Sequence, residues 1–563
     1  MLKAVRKFGS LMVQRDRIIC DVVIVGAGPA GLSAGIRLKQ LNPDYQVIVV
    51  EKGVEVGAHI VSGCLFEPRA LDELIPNWRD MDSPIKTPVR NFKTLILSEN
   101  KSFSIPNFVR PGYLNNEGNY IISLSETTRW LGKYAESIGV QIYPSFPASE
   151  VLINQKGYVE GIICSDFGIG KNWQPRKDYQ KGVEIYAKHS LFAEGSKGSI
   201  SEDLIKRFNL GWFDDGERYA IDQSYGLGIK EVWKISPEKF EEGLAIQTLN
   251  WPLDLSTRGR GFMYHQAADK VHVGLVISLD YNNPYISPYQ EFQRLKTHPL
   301  YKHYLEGGEC LAYGARTLTE GGFFSVPKIT FQGGMLIGDS AGFLNYAKLK
   351  GTHTAMKSGM IAAEVLHEAL SKDEAEGKDL YDYYEKYRRS WIWDELISVR
   401  HIRSCFNRNF WMGLYLAALS YSEDEVRLKL NLRAKSENSW RDSEATKYAK
   451  EYEPIQYPTP DGKIAFDLLT NLRRSGTQND PDQPDFIKIK MGMEKQQTQR
   501  SSKEFAGLEE KFCPGGVFTY EQDQLKIDQT KCLHCKACEI KTVGEFLNWI
   551  TPEGGSGPLY TNM

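Results

Sequence analysis

A glycine-rich segment near the start of the chain constrains the fold more than any other feature. An apolar stretch predicts a short buried strand, and Gly26, Gly28 and Gly31 follow it at the spacing G-x-G-x-x-G before a helical run. The first glycine permits a tight turn, the second lets the backbone approach a pyrophosphate, and the third lets the helix pack closely against the strand. A second predicted strand ends at Glu51, where a carboxylate can bind ribose hydroxyls. The segment therefore predicts an α/β dinucleotide-binding domain.

Two later segments favour FAD over NAD as the nucleotide. The run that ends at Glu194 and Gly195 resembles the strand-to-glycine turn by which the same fold closes around its nucleotide. Further on, Gly338 and Asp339 lie between a predicted strand and a helix, and in flavoproteins of this type such an aspartate binds the ribitol hydroxyls. No second G-x-G-x-x-G follows a predicted strand, so the sequence shows no obvious binding site for NADH or NADPH. The electrons are then expected from a protein or a bound organic substrate.

Four cysteines near the end of the chain predict an iron–sulfur cluster. Cys532, Cys535 and Cys538 have the spacing C-x2-C-x2-C, and Cys513 can supply the fourth thiolate from a distance, as in bacterial ferredoxins. Pro514, directly after Cys513, repeats the Cys-Pro step of those proteins. A structural zinc site is the alternative, but zinc sites with four cysteines usually draw on two separated C-x2-C pairs. We therefore expect a [4Fe-4S] cluster.

Length and composition fit a large multi-domain enzyme. The 563 residues are enough for several domains, and a hydrophobic content of 41% supports sizeable cores. A net charge of −2 argues against a nucleic-acid partner. The remaining cysteines are scattered and odd in number, which fits reduced thiols in a cytosol-like compartment. They are Cys20, Cys64, Cys164, Cys310 and Cys405.

Two apolar segments predict contact with a membrane surface. Neither is long enough for a transmembrane helix, and none is expected. The uncharged run 409–421 follows several arginines, and the loop 103–114 carries apolar side chains among prolines. Taken with a flavin and a cluster, they favour a monotopic membrane enzyme that reduces a lipid-soluble acceptor. The basic segment 1–17 is either a short targeting segment or a basic arm.

Residues 21–563 resemble the electron-transfer-flavoprotein:ubiquinone oxidoreductase family. The strings that carry the resemblance are 57–63, 313–316, 350–359, 532–538 and 552–558. The resemblance implies an α/β chain, α+β overall, with a Rossmann-like FAD domain interleaved with a β-rich quinone-binding domain and followed by a ferredoxin-like [4Fe-4S] domain. The expected boundaries are 1–100, 119–222 and 316–400 for the FAD domain, 223–315 for the quinone-binding domain, 401–455 for a membrane-surface helix and charged connector, and 456–563 for the cluster domain.

The resemblance also implies an activity, that of an electron-transferring-flavoprotein dehydrogenase. The cluster would accept single electrons from reduced electron-transfer flavoprotein, and FAD would deliver two to ubiquinone in the respiratory chain. The protein is expected to be a monomer on an inner membrane, at the cytoplasmic face in a bacterium or the matrix face in a mitochondrion. His353 is a candidate proton donor near flavin or quinone, with a structural role as the alternative.

Three departures from the family pattern carry further expectations. Phe518 stands where relatives commonly have tyrosine, and Ala537 where they have threonine. Both lose a hydroxyl that could donate to sulfur and stabilise the reduced cluster, so a lower reduction potential is predicted. In the presumed quinone pocket, relatives show Tyr-Gly-Gly where this chain has Arg258, Gly259 and Arg260. The two arginines would change the polarity of the pocket or bind anionic headgroups instead.

Other functions stay open on the sequence alone. One is a soluble flavin reductase acting on an isoprenoid double bond, or a relative that supplies low-potential electrons to nitrogenase. The apolar segment 409–421 argues against the first, and the fused ferredoxin-like module is less expected in the second. A non-catalytic flavin-binding scaffold with a zinc knuckle is a further alternative, which metal analysis would distinguish.

Overall fold

A computed structural model describes residues 15–62, 65–106, 112–211, 222–405 and 441–563. The helices in these ranges are α1 Pro29–Leu41, α2 Arg69–Leu74, α3 Leu124–Ser137, α4 Ser199–Arg207, α5 Pro288–Thr297, α6 Pro299–Leu305, α7 Thr352–Ser371, α8 Asp382–Arg388, α9 Trp391–Ser398, α10 Ile402–Cys405, α11 Leu468–Arg473, α12 Gln496–Glu504, α13 Leu508–Phe512 and α14 Ala537–Lys541. The strands are β1 Arg17–Val25, β2 Val47–Val50, β3 Leu65–Phe66, β4 Thr87–Pro88, β5 Asn91–Leu97, β6 Ser102–Ser104, β7 Tyr120–Ile121, β8 Gln141–Tyr143, β9 Ala148–Ile153, β10 Val159–Cys164, β11 Phe167–Ile169, β12 Pro175–Gln180, β13 Glu184–Phe192, β14 Tyr225–Lys234, β15 Leu244–Asn250, β16 Gly259–Gln266, β17 Lys270–Ser278, β18 Glu309–Thr319, β19 Thr330–Phe331, β20 Gly334–Leu336, β21 Ile487–Ile489, β22 Phe518–Glu521, β23 Gln524–Ile527 and β24 Leu547–Trp549.

The first sheet is parallel at its centre and has the strand order β19-β20-β13-β1-β2-β8. The end of β1 is apolar and buried, as expected for a strand covered on both faces. Helix α1 connects β1 to β2 and packs on the long helix α7. The two helices approach closely, since a Cβ on Gly359 would lie 2.3 Å from the carbonyl oxygen of Ala30. This sheet and its helices form the predicted dinucleotide-binding fold.

The second sheet has the strand order β18-β14-β17-β16-β15-β5-β6. Its strands pair antiparallel, except that β15 runs parallel to β5. Alternate side chains point to opposite faces, so Val273 and Leu275 share a core with Phe292 of α5, whereas Phe262 and Tyr264 point the other way. Most of the sheet comes from the segment expected to bind quinone, but β5 and β6 come from earlier in the chain.

The C-terminal segment packs on the second sheet around a buried polar anchor. Lys296 and Glu231 form an ion pair of 2.8 Å with both side chains fully buried. Asn471 of α11 donates a hydrogen bond of 2.7 Å to the same carboxylate, and Trp233 donates another of 2.6 Å. The anchor therefore ties the C-terminal segment to both the sheet and α5. No helix in the described ranges is long and apolar enough to cross a membrane.

Candidate functional site

An elongated cavity of about 360 Å³ lies at the carboxyl ends of β1 and β2. Its walls include Gly26, Gly28, Glu51, Gly195 and Asp339, which the sequence placed in three separate motifs. Parallel strands of an open α/β sheet end at one edge, where nucleotides bind in this fold. The topology therefore brings these predicted nucleotide-binding residues to one site.

The glycines of the first motif have the different roles that the spacing predicted. A Cβ on Gly26 would lie 2.4 Å from the Ala193 carbonyl oxygen, and one on Gly31 would lie 2.1 Å from the Gly26 carbonyl oxygen. Around Gly28, by contrast, no protein atom lies within 4 Å of such a Cβ. Gly28 precedes the N-terminus of α1 and lines the cavity, which suits the close approach of a phosphate.

Two acidic residues of the motifs are engaged in different ways. The Glu51 carboxylate accepts hydrogen bonds from the backbone N–H of Ala27 at 3.0 Å and of Gly53 at 2.8 Å, which fix it at the end of β2. The Glu194 carboxylate accepts from the backbone N–H and the hydroxyl of Ser201, both at 2.6 Å. Glu194 therefore caps the start of α4 while lining the cavity, and the adjacent Gly195 makes the turn at φ +75°.

The third motif places a buried carboxylate at the cavity. Gly338 has φ +62°, and a Cβ there would lie 2.7 Å from the Ala30 Cβ, so the turn packs directly on α1. Burial raises the pKa of Asp339, while hydrogen bonds from Thr319 and the nearby Arg316 act against that rise. Asp339 lines the cavity, so its carboxylate can accept from hydroxyls of a bound sugar-like chain.

The four cysteines of the C-terminal segment line one small enclosed cavity and are all buried. Zinc held at about 2.3 Å by each thiolate would bring the sulfurs to about 3.8 Å from one another. Among the described residues, no three cysteine sulfurs lie within 4.8 Å of one another. The wider separation suits a cluster between the sulfurs better than a single zinc ion.

The environment of the thiols also fits a cluster. Burial raises the pKa of all four cysteines, to about 12 for Cys532, so four thiolates need a positively charged centre among them. Backbone N–H groups approach two of the sulfurs, from His534 to Cys532 at 3.3 Å and from Val517 to Cys513 at 3.5 Å. Phe518 and Ala537 both line this cavity and offer no hydroxyl there.

Comparisons with known proteins agree with the cofactors assigned to the two cavities. A model described as ETF-QO, ubiquinone-binding, matches residues 225–318, and one described as electron transfer flavoprotein-ubiquinone oxidoreductase, 4Fe-4S, matches residues 462–561. A Thi4 family model matches residues 6–71, around the glycine-rich segment. The mitochondrial electron transfer flavoprotein-ubiquinone oxidoreductase of Arabidopsis thaliana is 46% identical over 558 residues, which cover 98% of this chain and 85% of that protein.

Relatives from other lineages extend the match. The electron transfer flavoprotein-ubiquinone oxidoreductase of Pseudomonas aeruginosa is 42% identical, with 98% of this chain and all of that protein covered. The mitochondrial relative from Sus scrofa is also 42% identical, with 99% and 91% covered. The chain belongs to the electron transfer flavoprotein-ubiquinone oxidoreductase family. The predicted family, enzyme class and cofactors, namely FAD, a [4Fe-4S] cluster and ubiquinone, are thereby confirmed.

A solved structure supports the fold of the larger part of this oxidoreductase. A geranylgeranyl bacteriochlorophyll reductase-like protein from Thermoplasma acidophilum aligns with a TM-score of 0.55 and 17% identity, over 75% of this chain and 98% of that one. At this identity the likeness concerns the fold alone. It agrees with the predicted Rossmann-like domain with an inserted β-rich domain.

In this member of the electron transfer flavoprotein-ubiquinone oxidoreductase family, the two cavities share a wall. Lys536 and Trp549 line both the nucleotide cavity and the cysteine cavity. Thr317 lines the nucleotide cavity and donates a hydrogen bond of 2.7 Å to the Cys535 carbonyl oxygen, and Arg316 donates one of 2.8 Å to the His534 carbonyl oxygen. Sequence reasoning assigned no role to these residues, because only folding brings β18 against the cysteine loop.

The shared wall is strongly cationic. Lys52 lines the nucleotide cavity beside this wall, and desolvation together with the charges of Arg316 and Lys536 lowers its pKa to about 7. Its ammonium group lies 5.2 Å from the ring centroid of Trp549, and that of Lys536 lies 3.8 Å from the same ring. These positive charges favour electron-rich, anionic groups in the cavities on either side.

The three predicted quinone-binding residues lie at the start of β16 and do not line the nucleotide cavity in the described structure. Arg258 forms an ion pair with Asp280, and Arg260 donates to the Ala347 carbonyl oxygen at 3.0 Å. A Cβ on Gly259 would lie 2.3 Å from the Leu253 Cδ1 atom, so this glycine fits close packing. Their role in quinone binding stays a prediction.

Other residues of the second sheet do face the nucleotide cavity. They are Gln247, Phe262, Tyr264 and Val276. The rings of Phe262 and Tyr264 stack with their centroids 4.9 Å apart, and the Gln247 amide donates to the Tyr264 hydroxyl at 3.2 Å. Together these side chains form a wall that is mostly apolar with few polar groups. Such a wall suits a flat ring with carbonyl oxygens. The period-two alternation of β16 could have indicated these residues, but the sequence does not show which face is turned to the flavin.

His353 lies outside the lining of the nucleotide cavity, in the first turn of α7. It is buried, stacks on Trp391 and bonds to Glu395 at 2.9 Å. The predicted membrane helix 409–421 falls outside the described residues, as do 1–14 and part of the loop 103–114. At the edges of that loop, Phe103 is 57% exposed, whereas Tyr113 packs on a small cluster with Val399 and Ile402.

Proposed function

We propose that this protein takes electrons from reduced electron-transfer flavoprotein and delivers them to ubiquinone at a membrane surface. The observation that carries the proposal is the wall shared by the two cavities, in which Lys536 and Trp549 contact both. An iron–sulfur cluster exchanges single electrons and a flavin exchanges one or two, so the pair suits a route from a one-electron protein donor to a two-electron quinone. Relatives named for both donor and acceptor support it.

The residues of this chain would hold the cofactors as follows. The N-terminus of α1 and Gly28 would hold the FAD pyrophosphate, Glu51 the ribose, and Asp339 the ribitol chain. The four cysteines would hold the cluster. Phe262 and Tyr264 would form the wall against which the flavin and the quinone ring are placed.

The proposed location is the surface of an inner membrane, with the protein monomeric and anchored without a spanning helix. Relatives named as mitochondrial support a mitochondrial location. The proposed face is the matrix face of the inner membrane, or the cytoplasmic face in a bacterium. The exposed Phe103 and the apolar run 409–421 would provide the apolar contact.

The test is an anaerobic assay of the detergent-solubilised protein with reduced electron-transfer flavoprotein and a short-chain ubiquinone. Cys535→Ser should abolish quinone reduction, because it removes a cluster ligand. Cys310→Ser is the matched control, since Cys310 is also a buried free cysteine but does not line the cluster cavity. Wild-type protein with intact FAD and iron–sulfur absorbance but without turnover would contradict the proposal and redirect attention to another acceptor.

A further inference from the structure

A charged network lies beneath the N-terminus of α7, apart from the cofactor-binding motifs. Lys348 Nζ lies 3.2 Å from a Glu67 oxygen and 3.1 Å from a Glu395 oxygen. His353 Nε2 lies 2.9 Å from Glu395 and 3.8 Å from Glu67. The residues come from three separate parts of the sequence, around Glu67, Lys348 to His353, and Glu395, so the network exists only in the folded chain. Each member has a hydrogen-bonding or ionic partner within the network, which makes a continuous chain of exchangeable protons.

The network stands between two cavities. An outer cavity of about 560 Å³ is open to the surface and has an acidic lining that includes Glu67, Asp72, Glu73 and Glu117. Lys348 also lines this outer cavity, and it lines the nucleotide cavity on the other side. A lysine side chain that reaches both cavities provides a polar connection between bulk water and the proposed site of quinone reduction.

Electrostatic interactions and hydrogen bonds hold the Glu395 carboxylate of the network in its charged form. Burial alone would raise the pKa of Glu395, but hydrogen bonds from His353 and Asn345 and the charge of Lys348 lower it to about 2. Glu395 is therefore a permanent carboxylate that orients His353, which also stacks on Trp391 with an interplanar angle of 3°. Lys350 is a neighbouring buried cation, and burial lowers its pKa to about 8. Two carboxylates and a histidine could also hold a divalent metal, but the Lys348 ammonium already lies between the carboxylates.

Quinone reduction needs a supply of protons that is separate from the supply of electrons. Reduction of a quinone to a quinol consumes two electrons and two protons, and electrons that cross an iron–sulfur cluster arrive without protons. The donor protein is oxidised, the quinone is reduced, and both protons must come from water. The part of the wall formed by Phe262 and Val276 is apolar, whereas Lys348 brings an N–H donor to the same cavity.

We propose that Glu67 and Lys348 relay protons from the outer cavity to the nucleotide cavity, with His353 and Glu395 as positioning residues; the inference rests on the proposed function. An N–H bond of Lys348 breaks as an oxygen of the reduced quinone takes the proton. The Glu67 carboxylate then takes a proton from water in the outer cavity and passes it to the resulting amine, which restores the Glu67–Lys348 ion pair. One such cycle supplies each proton of the quinol.

The test uses Glu67→Gln in the full-length, cofactor-containing protein. In a rapid-mixing experiment, absorbance follows electron entry into the cluster without quinone, and a pH-indicator dye follows proton uptake from the medium with quinone present. We expect electron entry to be unchanged and proton uptake to slow about a hundredfold, the lower end of the range for general acid catalysis. With quinone present, quinol formation should slow by a similar factor and recover when a small weak acid, such as acetic acid, is added. The outer cavity is open enough to admit such an acid.

Glu368→Gln is the matched control. Glu368 lies on α7 like His353, loses the same charge, and pairs with Lys386 at the surface, away from both cavities. Glu395→Gln should slow proton uptake as well, without rescue by acid, because it disorders His353 and Lys348 and does not remove the relaying carboxyl group.

The outcomes separate this inference from the proposed function. If the wild type takes up electrons but reduces no quinone, the proposed function fails. If the wild type reduces quinone and Glu67→Gln behaves like Glu368→Gln, the relay is wrong and the proposed function stands. If Glu67→Gln loses FAD, or slows electron entry and proton uptake equally without rescue by acid, its role is structural and the relay is also wrong.

Discussion

At the scale of single residues, Phe518 and Ala537 line the cysteine cavity and bring no hydroxyl group to it. The family resemblance implies tyrosine and threonine at these two positions. The backbone N–H groups that approach Cys532 and Cys513 remain. The cluster is therefore expected to keep part of the usual hydrogen bonding and to have a lower potential than is common in the family.

Phe518→Tyr and Ala537→Thr should each raise the reduction potential of the cluster. A new hydrogen bond to sulfur is worth about 1 kcal/mol, which corresponds to roughly 40 mV for one electron. A redox titration followed by electron paramagnetic resonance measures the change. An unchanged potential in both variants would mean that the new hydroxyls do not reach a sulfur.

Gly28 offers a residue-scale test of the nucleotide cavity. It has φ −80°, which other residues tolerate, and a side chain there would meet no protein atom within 4 Å. Gly28→Val should therefore fold normally but exclude the pyrophosphate, so that the purified protein loses most of its FAD. The measurement is flavin absorbance per chain after purification.

Gly211→Val is the control for that variant. Within the described parts of the chain, a Cβ on Gly211 also meets no protein atom within 4 Å, and this glycine is not among the residues that line the nucleotide cavity. FAD retained in Gly28→Val, or lost to the same extent in both variants, would contradict the assignment of the pyrophosphate site.

At the scale of elements, the polar anchor holds α11 of the C-terminal segment against β14 and α5. Lys296 and Glu231 are completely buried, and Asn471 and Trp233 satisfy further oxygens of the carboxylate. The ammonium group of Lys296 also lies 4.8 Å from the ring centroid of Phe466. Removing one partner would leave a buried charge without compensation, which is far costlier than losing a pair at the surface.

Lys296→Met should lower the free energy of unfolding by about 3–5 kcal/mol. The measurement is denaturant unfolding of the cofactor-containing protein, followed by circular dichroism and by cluster absorbance. Lys386→Met removes the partly exposed partner of Glu368 and should cost less than about 1 kcal/mol. Equal effects of the two variants would show that the buried pair adds nothing special to the docking of the C-terminal segment.

At the scale of the whole molecule, local sequence patterns predicted the glycine-rich turn after β1 and the convergence of the four cysteines. The run before Gly26 became the end of β1, and Gly26, Gly28 and Gly31 have roles set by backbone distances. The four cysteines share one cavity because their spacing alone limits how they can converge. Motifs of this kind can be recognised in a sequence because most of the residues that bind one cofactor group lie close together in the chain.

Features made by distant segments could not be predicted in the same way. The network joins Glu67 to Lys348 and Glu395, which lie hundreds of positions later in the chain, and only its fourth member His353 was a candidate from the sequence. The second sheet recruits β5 from before the segment expected to bind quinone, by a parallel pairing with β15. Such pairings follow from topology, and no local period or spacing records them.

The wall shared by Lys536 and Trp549 has a thermodynamic consequence for the assembly of the enzyme. Because Lys536 and Trp549 line both cavities, a shift of these side chains on binding one cofactor would change the affinity for the other, and linkage makes that factor the same in both directions. Flavin and cluster would then act as reciprocal effectors of one another's binding during maturation.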